Sequence, residues 1–200
     1  MGPVAPSVPF AVPEQRVVQL TQGREHVYRF EEFNPENTNS CLEVIYQMGP
    51  LALVDNALLA LVHHLIKEPA FNELRTEEQL GYLVHTSIST SGDDIKGLLV
   101  MIQSDAFDPL HLDKRVEAFL ERFRTTLVHM TIDDFKTNVD AVVKNFLEQN
   151  KNLGEESTRY WDAITKRNYM FHKYQRIAEY VKVATKNQVL IFLDRYVCKG

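Results

Sequence analysis

The sequence predicts an α+β domain: an antiparallel or mixed sheet built by the N-terminal half and covered by helices. Two observations carry this. Short runs with period-two alternation occupy the first half, and apolar stripes at helical spacing occupy the second. A block of strands followed by a block of helices builds a helical layer on a sheet rather than a wound parallel fold. The 200 residues, 44% of them hydrophobic and 24% charged, suit one good core.

Arg16–Leu20 and His26–Phe30 are β-favouring runs separated by Gln22 and Gly23. A polar turn cluster at 34–40 leads into Cys41–Met48, where Leu42, Val44, Tyr46 and Met48 share one face. After Gly49 and Pro50, a stripe of Val54, Leu58, Leu61, Val62, Leu65 and Ile66 predicts a helix over about residues 53 to 67, closed by Pro69. A short helix is expected over Asn72–Gln79, with Gly81 as its left-handed terminating residue. Tyr82–Ser89 alternates as a strand, 91–94 form a hairpin loop, and the nearly continuous apolar run Gly97–Gln103 reads as a central strand buried on both faces.

Asp108 followed by Pro109 opens a helix with the stripe Leu112, Val116, Phe119, Leu120, Phe123 and Leu127. Thr131 to Asp134 opens the next, carrying Phe135, Val139, Val142, Val143 and Phe146. Helices through Trp161 and Ile164 and over Tyr174–Val183 follow. A capping box from Thr185 to Gln188 starts the last, with Val189, Phe192, Leu193 and Tyr196.

A net charge of −5 with scattered basic residues leaves no footprint for nucleic acid or an anionic membrane surface, and no apolar run is long enough to span a bilayer. The two cysteines, Cys41 and Cys198, fit a reducing, cytoplasmic setting better than a disulfide framework. His63 and His64 are adjacent on the first helix, about 100° apart around its axis, and so do not share a metal readily. Glu68 follows His64 by four residues, but no third ligand is in register, so no metal set is assigned. No phosphate-binding glycine loop, nucleophile elbow or partnered cysteine occurs.

Residues 71–82, Phe-Asn-Glu-Leu-Arg-Thr-Glu-Glu-Gln-Leu-Gly-Tyr, concentrate the chemistry. Arg75 and Tyr82, carried on one helix-to-strand turn, can grip the carbonyls of an extended peptide. The competing reading pairs Arg75 with Glu77, Glu78 or a loop carboxylate and makes Tyr82 a half-buried strand aromatic.

This stretch resembles the C-terminal half of insulinase-type zinc peptidases, the insulysin, nardilysin and pitrilysin group. Gly97–Ser104, Arg115–Phe119, Met130–Phe135 and Tyr160–Trp161 resemble segments that follow it in the same order, so the likeness covers about residues 16 to 198. The resemblance implies the fourth, non-zinc domain of a two-lobed chamber enzyme. Zinc and the general base would belong to the N-terminal half of the same polypeptide, because no His-x-x-Glu-His occurs here. It also implies that Tyr82 and Arg75 reach the scissile carbonyl as catalytic donors, that Phe71 contacts a substrate side chain, and that short peptides are the substrates. The chain alone would then be inactive. Three prolines in the first nine residues make residues 1–15 a linker or an added end, and the resemblance makes 16–200 a single domain lacking its last strand. It leaves one alternative: a zinc-less structural or assembly domain of the same fold with no catalytic role.

Overall fold

The computed structural model describes residues 17–18, 20–21, 23–92, 95–166 and 168–198. Among them a three-stranded antiparallel sheet has the order β1-β3-β2, formed by β1 (Ser40–Pro50), β2 (Leu83–Ser91) and β3 (Ile95–Ser104). Six α-helices accompany it: α1 (Leu53–Ala70), α2 (Pro109–His129), α3 (Ile132–Leu147), α4 (Leu153–Thr165), α5 (Lys173–Val183) and α6 (Lys186–Tyr196). The α+β class with its sheet in the N-terminal half is as the sequence predicts, and the sheet is antiparallel throughout. No described helix is long and apolar enough to cross a membrane.

The core lies between one sheet face and the helices. Leu98, Val100 and Ile102 of β3 are fully buried, as are Leu61, Val62 and Ile66 of α1 and Leu112, Val116 and Phe119 of α2. Helix α1 is the hub: it packs on β2 and touches α2, α3, α5 and α6, while α2 covers β1. The full apolar stripe expected on α2 is buried, because its spacing keeps all six side chains on one face. Tyr46 fastens β1 to α2 by donating to Glu117 Oε1 at 2.5 Å, and burial raises its phenol far above its ordinary range. On α2, Arg124 forms a bidentate pair with Asp194 of α6 at 2.5 and 2.8 Å.

The helix starts follow their caps. Asp108 accepts from the Leu110 and His111 amides, Thr131 from the Asp134 amide, and Thr185 with Gln188 closes a complete capping box.

Four expectations need correction. The described residues of Arg16–Leu20 and all of His26–Phe30 form no strand; they are exposed, and no sheet partner lies beside them among the described residues. A β-favouring run without a partner has nowhere to place its backbone hydrogen bonds except water. Pro69 does not close α1, which continues to Ala70 and passes directly into a π-helical segment, Phe71–Glu77. The separate helix over Asn72–Gln79 is therefore that continuation. Proline removes one donor and crowds the carbonyl four residues back. Here that carbonyl belongs to Leu65 inside α1, and the helix carries the proline without ending. Finally, β3 is not buried on both faces. Its residues alternate, with Leu99 and Met101 half-buried on the side opposite Leu98, Val100 and Ile102.

The fourth correction concerns Gly81. The left-handed residue is Gln79, at φ 52°, and Gly81 has no positive φ. Gly81 is required for a different reason: a Cβ there would stand 2.1 Å from the carbonyl oxygen of Gln103. The turn is thus pressed against the end of β3, where Leu83 pairs with Gln103. The expected linker at 1–15 lies outside the described residues.

Candidate functional site

The π-helical segment and the five residues after it deliver the chain from α1 into β2. The Glu78 amide donates to the Glu73 carbonyl at 2.9 Å and the Leu80 amide to the Leu74 carbonyl at 3.0 Å, so the segment winds wide and then closes sharply. Leu74 and Leu80 are buried and anchor the turn in the core. Phe71, Arg75 and Tyr82 are left on its exposed side.

Arg75 sits between the other two. Its Nε donates to the Tyr82 carbonyl at 3.3 Å, and its guanidinium carbon lies 5.0 Å from the centroid of the Phe71 ring. A cation over an aromatic face is attracted by the ring quadrupole and is held without using its terminal N–H donors. Tyr82 is 51% exposed and Phe71 42% exposed. The three sequence-predicted residues therefore form one cluster.

The pairing of Arg75 with a neighbouring carboxylate does not occur among the described residues. Glu78 is taken by α2: Arg115 donates to it through Nε and Nη2 at 2.7 and 2.5 Å, and Arg122 Nη2 approaches it at 3.1 Å. Arg122 also donates to Glu73. The Arg115 hydrogen bond holds the Glu78 carboxyl below the ordinary glutamate range, opposed by partial burial. Because the folded-state value is depressed, this pair stabilises the fold fully above the ordinary glutamate range and loses that contribution as pH falls through the folded value. The melting temperatures of the parent sequence and Glu78→Gln should therefore differ near neutrality and converge in acid; a constant gap would show that the charge of Glu78 contributes nothing.

Sequence reasoning alone does not find these arginines, since they lie 37 and 49 residues from their partners. The available signal was Arg115 and Arg122 seven apart on one face of α2, opposite an acidic run.

His63 and His64 do not form a metal site. His63 Nε2 lies 3.0 Å from the Thr86 carbonyl oxygen, so this nitrogen carries the proton and is occupied. Burial lowers the His63 imidazole below its ordinary range. No three His, Cys, Asp or Glu side chains converge as a metal set among the described residues. Cys41 and Cys198 are both free thiols.

The helix-covered antiparallel sheet belongs to a known class. Residues 61–161 match the family described as PQQ synthase PqqF-like, C-terminal lobe domain 4. The chain belongs to this family, the C-terminal lobe domains of insulinase-type peptidases. It is 36% identical over 186 residues to "Insulin-degrading enzyme-like 1, peroxisomal" of Arabidopsis thaliana, covering 92% of this chain and 19% of that protein. It is 33% identical over 187 residues to the human insulin-degrading enzyme, covering 94% of this chain and 18% of that protein. The crystal structure of pitrilysin superposes with a TM-score of 0.72 at 27% identity, over 82% of this chain and 18% of that one. The chain thus spans about a fifth of the length of the relatives it matches.

Proposed function

We propose that the chain serves as the C-terminal lobe domain of a zinc metalloendopeptidase that degrades short peptides, closing its chamber and supplying Arg75 and Tyr82 to the substrate. The observation that carries this reading is the division of charge at the turn. The α2 arginines engage Glu73 and Glu78, so Arg75 faces outward beside Tyr82 with its positive charge uncompensated by them.

Such a pair suits a tetrahedral intermediate. The Tyr82 hydroxyl can donate to an oxygen that gains negative charge, and the terminal N–H groups of Arg75 can stabilise the same charge or hold the neighbouring carbonyl. Neither has to gain or lose a proton. Phe71 offers an apolar surface for a substrate side chain beside the scissile bond. The hydrogen bond from Arg75 to the Tyr82 carbonyl ties the guanidinium to the backbone that carries the tyrosine, which favours the preorganisation this catalysis needs. Zinc, held by another domain, would polarise the carbonyl and activate water.

The purified 200-residue chain should cleave no peptide in a chelator-sensitive manner, while the full-length protein does. Chelator-sensitive cleavage by the chain alone would contradict the division of labour. A full-length protein with no zinc and no peptidase activity would favour a structural domain of the same fold.

A further inference from the structure

We infer that Arg115 and Arg122 of α2 are positioning residues that hold the π-helical turn, and with it Arg75 and Tyr82, in register for the reaction. The inference rests on the proposed role of Arg75 and Tyr82 and adds a second layer to that site.

The turn needs an external hold. It follows a proline within α1, adopts the wide winding that α-helical hydrogen bonding disfavours, and ends on Gln79 in the left-handed region. Its backbone has other windings within reach, and a shift from π to α would rotate Arg75 away from Tyr82. The clamp opposes that shift specifically. Glu73 and Glu78 are five residues apart, a spacing that brings side chains onto one face in a π-helix and separates them in an α-helix. Arg122 touches both carboxylates at once, and Arg115 grips Glu78 through two parallel bonds. Two arginines two turns apart on α2 therefore recognise the π winding itself. Helix α2 is a firm base, since its apolar stripe is buried in the core. The guanidinium fork matters here; lysine would supply charge without the paired geometry.

Arg124 provides the control, because its bond to Asp194 has the same chemistry on the same helix but lies away from the turn. In the full-length enzyme, kcat, KM and melting temperature are measured for Arg115→Gln, Arg115→Lys, Arg124→Gln and Tyr82→Phe. Amide hydrogen exchange over residues 74–82 is measured in the same variants. Arg115→Gln should lower kcat about 10- to 100-fold, the effect of a small misplacement of reacting groups, with KM little changed. Arg115→Lys should recover part of the loss. Arg124→Gln should leave kcat unchanged, and exchange over the turn should quicken only when Arg115 is altered. Equal kcat and equal exchange in Arg115→Gln and Arg124→Gln would overturn the inference. If Tyr82→Phe leaves kcat intact, the proposed site fails, and the exchange data alone then decide the clamp: faster exchange in Arg115→Gln supports it and unchanged exchange removes it.

Discussion

With the proposed role of Tyr82, its replacement by phenylalanine in the full-length protein should lower kcat by about 10²–10³, the loss expected when one oxyanion donor is removed, or about 2.7–4 kcal/mol of transition-state stabilisation. KM should change little, because a donor aimed at developing charge is worth more in the transition state than in the bound substrate. The fold should be unaffected. Tyr82 is half exposed, its carbonyl rather than its ring receives the Arg75 hydrogen bond, and phenylalanine keeps both the ring and that carbonyl. An unchanged kcat, or a fall matched by an equal loss of folded protein, would remove the hydroxyl from the chemistry.

Gly81→Ala should have the opposite profile, acting on structure first. The added methyl would stand 2.1 Å from the Gln103 carbonyl oxygen and 2.9 Å from its carbon, both of them backbone atoms of β3 that no side-chain rotation can move. Either the turn or the end of β3 must shift. Overpacking of this kind costs about 1–3 kcal/mol, and a backbone clash lies at the upper end. Because Gly81 immediately precedes Tyr82, the displacement should also separate Arg75 from the Tyr82 carbonyl. Chemical denaturation should show a lower midpoint, and the folded fraction should show reduced turnover. A midpoint within experimental error of the parent would mean that the approach of the turn to β3 is looser than the structure has it.

These two residues show what was legible in the sequence. Phe71, Arg75 and Tyr82 stood out because the whole cluster lies within twelve consecutive positions, so a local motif suffices to find it. The α2 and α6 stripes were readable for the same reason: burial on one face writes a period into contiguous residues. What escaped depends on partners or on winding. The runs at 16–20 and 26–30 have strand composition, but composition says nothing about whether a neighbouring strand is there to pair. Pro69 carries a stop signal, yet α1 continues through it to Ala70 before the winding widens. Gly81 looks like a conformational glycine in the sequence, yet its role is contact, since a small residue marks either and only the position of Gln103 decides. The Arg115–Glu78 clamp could not be seen before the fold placed α2 beside the turn.

The family assignment and the fold explain how one turn can present two donors. Whether those donors meet a substrate is measured most directly by solving the full-length protein with a non-hydrolysable peptide bound. The Tyr82 hydroxyl and the Arg75 guanidinium should then lie within hydrogen-bond reach, about 3 Å, of the oxygen replacing the scissile carbonyl. A complex in which both side chains face solvent or another domain, out of reach of that oxygen, would contradict the account.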